Sequence, residues 1–328
     1  MRAVYIDKLG SLDDLEVRYV PDPPPPGENE VLVRVQAAGL NRADLLQVRG
    51  HYPPPQGYSP NIPGLEFAGE IALIGDGVNG WSIGDRVFGI TAGEAQAEYL
   101  LSDHSLLTRI PDPLSFAEAA AVPEAFITAH DALFIQDELA RGETLLIHAV
   151  GSGVGLAALQ LAKAKGAFVI GTSRTADKLE RCKEFGLDAA ILTGPGTDLK
   201  QEIDRHTSGK GVDVVLDLVG AANFEANLAS LATKGRLVLV GLTSGATAEL
   251  NMGLVLAKRA KMIGTVLRAR PLEEKAEATQ KFAAEVVPLI ASRAVKPVLD
   301  RVFAPEDVID AYKYLASNES FGKVVIQF

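Results

Sequence analysis

Cysteine is almost missing from this chain: Cys182 is the only one in 328 residues. One thiol excludes an internal disulfide and any cysteine-cluster zinc site. It falls in LERCKEFG, a helical pattern, and reads as a small apolar helix residue rather than a reactive thiol. Long apolar runs are missing too, and no stretch approaches the ~18 apolar residues of a membrane span. There is no excess of positive charge. A net charge of −10 and a pI near 5.1 give no field that would recruit nucleic acid. The N-terminus, MRAVYIDKLG, lacks the apolar core of a signal peptide, so a cytosolic protein is expected. The five histidines (His51, His104, His130, His148 and His206) show no paired ligand spacing. His148 lies on an apolar strand and reads as a core or loop-anchoring residue.

What is present is an ordinary globular composition, 47% hydrophobic and 23% charged, with length enough for two cored domains. The first 110 residues read as β-rich. VLVRVQA (31–37) alternates apolar and polar residues as a half-buried strand does. EFAGEIALIG (66–75) and DRVFGI (85–90) are further strands, separated by proline- and glycine-laden turns such as PDPPPPGENE and YPPPQGYSPNIPG. A rolled, barrel-like β domain is expected.

The pattern changes near Pro111. SFAEAAAVPEAFITAHDALF reads as a helical run with Ser115 as N-cap and Glu118 three residues on. Strands and helices then alternate through ETLLIHAV, VGLAALQLAKAKG, AFVIGTS, ADKLERCKEFG, DAAILT, LKQEIDRHTSG, VDVVLDLV, RLVLVGL and KMIGTVL. Alternation of this kind means a parallel sheet wrapped by crossover helices. PLEEKAEATQKFAAEVVPLIASR reads as a helix with Pro271 at its first position, APEDVIDAYKYLAS as another, and FGKVVIQF as a closing strand. The expected fold class is α/β. A doubly wound domain over residues 122–264 is inserted into a β domain made of residues 1–121 and 265–328.

HAVGSGVG follows a strand and opens a helix, the context in which backbone N–H groups face a pyrophosphate. Gly151, Ser152, Gly153, Val154 and Gly155 form the expected cofactor turn, although the literal G-x-G-x-x-G pattern misses by one position. Nucleotide sheets that prefer NAD place an acid at the end of the next strand. Here Ser173 stands there, 18 residues past Gly155, followed by Arg174 and Lys178. A hydroxyl and two cations suit a 2′-phosphate, which a carboxylate would repel, so NADPH is the expected cofactor.

AAGLNRADLLQVRGHYPPP, NIPGLEFAGEI, WSIGDRVFGI, AVPEAFITAHDAL, HAVGSGVG and the ending KPVLDRVF…ESFGKVVIQF together resemble the medium-chain dehydrogenase/reductase superfamily. They are most similar to its quinone oxidoreductase branch, of the p53-inducible type. The resemblance implies a GroES-like β-barrel catalytic domain and a Rossmann cofactor domain, with the active site in the cleft between them. It puts Asn41 where zinc-dependent relatives carry a cysteine ligand and Leu65 where they carry a histidine, so no metal is expected. A tyrosine often found near the 2′-phosphate is replaced here by Thr193.

Without a metal there is no strong Lewis acid for alcohol oxidation, whereas quinones and enones accept hydride directly. The resemblance further implies that Asn41, Tyr52 and Thr128 line the nicotinamide end of the site. Gly241, Leu242, Phe321, Gly322 and Lys323 would touch the cofactor by backbone. Tyr52 is expected to meet a developing oxyanion or a flat acceptor, or else simply to pack on the prolines beside it. Glu66 is expected either to anchor backbone or to move a proton. The reading is an NADPH-dependent quinone oxidoreductase acting on a small quinone or enone. One alternative is a 2-alkenal or enoyl-thioester reductase; a CoA-type substrate would favour a basic patch, for which Arg42, Arg49 and Arg268 are candidates that the sequence does not place together. Another, of a different class, is an NADPH-binding structural or RNA-binding protein. RLVLVGL and KMIGTVL are candidate edge strands for a homodimer.

Overall fold

A computed structural model describes all 328 residues. The chain divides into two compact units, Met1–Ile127 with Leu267–Phe328, and Thr128–Val266. No helix is long and apolar enough to cross a membrane.

The first unit is built on a seven-stranded sheet. Strands Leu299–Phe303, Lys323–Gln327, Glu30–Gly39, Glu66–Ile74, Arg86–Ile90 and Leu107–Arg109 lie side by side in that order, and Tyr99–Asp103 also pairs with Glu30–Gly39. Only the first two are parallel, and helix Val308–Ser317 makes the crossover that a parallel pair requires. Along Glu30–Gly39 the apolar positions Val31, Val33 and Val35 point inward against Phe67, Ile71, Val87 and Leu100. Burying one such side chain contributes about 1.5–3 kcal/mol. The alternation ends at Ala37–Gly39, where every residue is buried, and the candidate site begins just beyond.

The second unit holds a six-stranded parallel sheet. Numbered in chain order, its strands are β1 (Thr144–Ile147), β2 (Phe168–Ser173), β3 (Ala189–Leu192), β4 (Val212–Asp217), β5 (Leu231–Leu239) and β6 (Lys261–Gly264). They lie in the order β3-β2-β1-β4-β5-β6, that of a doubly wound sheet whose winding reverses between β1 and β4. Helix Gly153–Lys165 links β1 to β2 and ends, as its sequence indicates, at a left-handed Gly166.

Three sequence expectations need correcting. The helical run from Ser115 is broken into helices Phe116–Ala119 and Pro123–His130 and a π-helical turn, Asp131–Gln136. The Ser115–Glu118 capping box forms, but a residue before proline is driven out of helical geometry, and Pro123 starts a new helix. Likewise 271–293 is not one helix. Pro271 sits outside as the N-cap of Leu272–Glu285, and the chain restarts as Val287–Ala291, because Pro288 cannot donate the next rung of the ladder. Finally, RLVLVGL belongs to β5, which lies between β4 and β6, so of the two candidate strands β6 alone is an edge.

Candidate functional site

The turn after β1 stands at the carboxyl end of the sheet, at the winding reversal, where open α/β sheets bind nucleotides. Ser152 caps the helix that follows, its Oγ accepting the Gly155 N–H at 3.1 Å. First-turn amides have no intrahelical acceptor, so with Gly155 satisfied, those of Gly153 and Val154 are left facing outward from half-buried residues. Gly151 is buried inside the turn. Ala149 adopts a left-handed φ of 49°, a strained conformation for a residue with a Cβ. At Gly155 a Cβ would lie 2.6 Å from the Ala149 carbonyl oxygen and 2.7 Å from that of Val150. Its glycine is therefore needed for the helix to approach the turn.

Beneath the turn, His148 is fully buried. Nδ1 meets Thr172 Oγ1 at 2.9 Å and Nε2 meets Asn227 Oδ1 at 2.6 Å. Asn227 Nδ2 donates to Asp217 Oδ2 at 3.0 Å, and Asp217 Oδ1 accepts the amides of Val219 and Gly220. This network anchors the loops after β1 and β4 to each other. Burial holds the His148 imidazole below its usual range, toward the neutral form, against the pull of Asp217.

Ser173 ends β2 with its Oγ accepting from Thr175 N at 3.1 Å, and the Thr193 amide donates to the Ser173 carbonyl at 2.9 Å. The structure thus brings Ser173 and Thr193 together. Arg174 is exposed and Lys178 half-buried, the latter on helix Ala176–Cys182. Gly241 and Leu242 follow β5 on the same edge, Leu242 exposed, and a Cβ at Gly241 would press within 2.7 Å of the Leu218 carbonyl. Residues that end β1, β2, β3 and β5 therefore line one rim. That rim fits a dinucleotide: it has free helix-end amides, a backbone that tolerates no extra carbon, and no carboxylate at the end of β2. Thr128 also belongs to this unit, nine-tenths buried.

The first unit carries a second polar cluster. Asn41 is the N-cap of helix Arg42–Val48, and its amide proton goes to Asp44 Oδ2 at 2.7 Å. Its side chain joins Glu66 and Lys323. Asn41 Nδ2 donates to Glu66 Oε1 at 2.8 Å, and Lys323 Nζ meets that same oxygen at 2.5 Å. The ammonium also donates to Asn41 Oδ1 and the Leu40 carbonyl, each at 2.7 Å. Glu66 Oε2 accepts the backbone N–H of Glu124 at 2.8 Å, serving the otherwise unsatisfied end of helix Pro123–His130. The strand must leave room for this carboxylate. A Cβ on Gly39 would collide with Glu66 Oε1 and lie 2.6 Å from the Ala120 carbonyl.

Arg268 holds Tyr52. The guanidinium lies 4.8 Å from the ring centroid and Nη1 donates to the Tyr52 carbonyl at 2.9 Å. Arg268 is buried, with further bonds to the Ala92 carbonyl and Gln47 Oε1. The three candidates for a basic patch are not alike: Arg42 and Arg49 are exposed, and Arg268 is an internal strut. Burial pushes the Tyr52 hydroxyl above its usual range.

The structure also redirects two readings. Of the two roles open to Glu66, anchoring is the one its bonds describe, since both oxygens are engaged. The side chain of Lys323 is spent inside the first unit, and Phe321 is 2% exposed. Gly322 has φ 93°, and a Cβ there would run into the Val298 carbonyl. The sequence pointed to Lys323 only by its backbone and to Arg268 only as a basic-patch candidate; the Lys323–Glu66 pair, the Arg268–Tyr52 contact and Glu124 were not read from it. One signal was available: a lone lysine in the apolar strand KVVIQF needs a buried partner.

Comparisons with known proteins bear on both units. The family model for the alcohol dehydrogenase GroES-like domain matches residues 27–131, and that for zinc-binding dehydrogenase matches residues 153–292. The human synaptic vesicle membrane protein VAT-1 homolog-like is 31% identical, covering 99% of this chain and 80% of its own. Human quinone oxidoreductase is 29% identical, covering 99% of this chain and 97% of its own. Among solved structures, mycobacterial Rv1454c complexed with NADPH superposes with a TM-score of 0.90 at 30% identity, over the full length of both chains. An NAD-dependent alcohol dehydrogenase does so with 0.88 at 32%, again over both full lengths. The CurK enoyl reductase gives 0.88 at 27%, over 99% and 98% of the two chains. The chain belongs to the medium-chain dehydrogenase/reductase superfamily, in its quinone oxidoreductase branch. It is an oxidoreductase with a GroES-like domain and a Rossmann-type domain that binds a nicotinamide cofactor.

Proposed function

We propose that the protein is a zinc-independent NADPH:quinone reductase. The observation that carries this is the Asn41–Lys323–Glu66 cluster. At the positions the resemblance equates with metal ligands stand Asn41, held by an ammonium, and Leu65, buried at 2% exposure. Neither offers a zinc-binding side chain, and Lys323 already supplies the positive charge that Glu66 faces. The 2′-phosphate of the cofactor would be met by Ser173, Arg174, Lys178 and Thr193. Its pyrophosphate would lie against Gly151–Gly155, and its nicotinamide end against Gly241, Leu242 and Thr128. When bound in reduced form, this cofactor supplies hydride.

The residues of the first unit then have the task of holding a flat acceptor and taking up charge on its oxygen. Tyr52 presents an aromatic face backed by Arg268 and a hydroxyl with which to donate to that oxygen. Asn41 is fixed by Lys323 and Glu66. The similarity to an enoyl reductase supports one competing reading, reduction of 2-alkenals or enoyl-thioesters. Steady-state oxidation of NADPH separates the two. Turnover with 1,2-naphthoquinone but not with crotonyl-CoA or 2-alkenals supports quinone reduction, and the reverse pattern refutes it. Tight NADPH binding with no turnover supports the structural or RNA-binding alternative.

We also propose a cytosolic homodimer. The exposed edge strand β6, with Met262 43% exposed and Leu256 77% exposed nearby, calls for cover. A Met262→Lys variant that stays dimeric by light scattering would refute pairing through this edge.

A further inference from the structure

The first unit holds three buried or half-buried carboxyl groups and two buried cations. The acids are Asp44 on helix Arg42–Val48, Glu66 on strand Glu66–Ile74 and Glu124 on helix Pro123–His130. The cations are Lys323 on strand Lys323–Gln327 and Arg268 just ahead of helix Leu272–Glu285. Their bonds divide unequally. Lys323 is committed to Glu66, with the oxygens of Asn41 and Leu40 completing its three donors. Arg268 gives its donors to three uncharged oxygens, of Ala92, Tyr52 and Gln47. Asp44 accepts two backbone N–H groups, from Asn41 at 2.7 Å and Gly64 at 3.2 Å. Glu124 is the one left over. Its backbone is pinned to Glu66, but its carboxyl group accepts no hydrogen bond within the unit. It is only half-buried, so water can reach it.

A carboxyl with no donor, set beside a buried carboxylate, lowers its energy by keeping its proton. Burial and then the charge of Glu66 push Glu124 up to about 8. Asp44 adds to the push, while Lys323 and Arg268 oppose it. Glu66 ties Glu124 to Asn41: its Oε2 takes the Glu124 N–H and its Oε1 the Asn41 side chain, each at 2.8 Å, so Glu124 stands beside a residue proposed to line the acceptor's site.

We infer that Glu124 is the proton donor of the reduction, carrying its proton at neutral pH and releasing it to the anion that hydride addition leaves behind. This rests on the reductase reading above, with a reduced nicotinamide as the two-electron donor. Hydride adds to a quinone to leave a hydroquinone monoanion, or to the β-carbon of an enone to leave an enolate. The O–H bond of Glu124 then breaks, and its proton bonds to the phenolate oxygen, or to the enolate at oxygen or α-carbon. The resulting carboxylate is reprotonated from water. Glu124 contributes no electrons. The need for it differs between acceptors, because a phenolate is stable in water and an enolate is not.

Two measurements decide it. The first is infrared difference spectroscopy on the full-length protein without substrate, titrated from pH 6 to 10. A protonated-carboxyl C=O band that disappears around pH 8 is expected in the wild type and is lost in Glu124→Gln, which preserves size and the backbone bond to Glu66. The second is the pH profile of kcat. Wild-type turnover should fall above about pH 8. Glu124→Gln should lose that alkaline limb and slow enone reduction by about 10²-fold or more at pH 7. Quinone reduction should slow less, and KM for the cofactor should stay within about twofold. If no such band exists at pH 7, or it survives in Glu124→Gln, the inference is overturned whatever the protein reduces. It is equally overturned if the variant keeps both the wild-type rate and the alkaline limb. Failure of the wild type to reduce any acceptor refutes the reductase reading instead, and the infrared titration then decides by itself whether Glu124 holds the proton.

Discussion

Replacing Lys323 with Met removes the ammonium and leaves Glu66 charged in a place with no water. The side chains of the pair are 6% and 0% exposed, so solvent cannot substitute for the lost partner. Breaking a buried pair on one side costs about 3–5 kcal/mol. Glu66 keeps two donors, Asn41 Nδ2 and the Glu124 amide, which places the loss near the lower end, about 3 kcal/mol. For a unit of this size that is roughly a 6–12 °C fall in its transition. The assay is built into the chain. Trp81 is the only tryptophan and lies in the first unit, so its fluorescence in a urea titration reports that unit. Adding Glu66→Gln to Lys323→Met removes the stranded charge. The double variant should regain about 2 kcal/mol over the single one, a coupling of the size that contacting residues show. A loss below about 1 kcal/mol for Lys323→Met, or a double variant no more stable than the single, would refute the description of this cluster as a closed, charge-compensated unit.

Burial raises the Asp44 carboxyl from 3.8 to about 6, against the pull of its two backbone donors and the nearby cations. Between those values the folded chain binds a proton that the unfolded chain has released, so this group makes stability fall as pH rises from about 4 to 6. Asp44→Asn should flatten that slope, and urea midpoints that change equally with pH in both proteins would sink the assignment. Gly155→Ala drives a Cβ into two backbone carbonyls at 2.6 and 2.7 Å, which cannot step aside. A cost of about 1–3 kcal/mol is expected in the second unit, with weaker cofactor binding by calorimetry and an unchanged Trp81 transition. Lys178→Ala should raise KM for NADPH and leave KM for NADH nearly the same; an equal rise for both would remove Lys178 from the 2′-phosphate site.

Much of the second unit was legible in its sequence, because its information is local. Glycine, serine and strand patterning at HAVGSGVG fix a turn that needs nothing distant to form, and the βα alternation leaves few sheet orders open. The first unit was legible as strands but not as a site. Lys323 and Asn41 are separated by 282 residues, and Arg268 and Tyr52 by 216, so no window of sequence contains both partners. The meeting of Lys323 and Asn41 follows from the pairing of strand Lys323–Gln327 with Glu30–Gly39, a tertiary fact. Helix ends were misjudged where proline entered an apolar-periodic run. The period continued through Val122–Pro123 and Val287–Pro288, but the backbone hydrogen bonds did not. The choice of β5 as an edge failed because apolar content marks a strand as buried or covered without saying which.

The central claim, reduction of an acceptor by NADPH without a metal, is tested most directly by one stopped-flow experiment. Chelator-treated protein, its zinc content counted on the same sample, is mixed with NADPH and 1,2-naphthoquinone, and loss of the nicotinamide absorbance is followed. The expected result is rapid oxidation of NADPH at a zinc content far below one per chain, unchanged when zinc is added back and slower with NADH at equal concentration. Turnover that appears only after zinc is restored, or that is absent under both conditions, would contradict it.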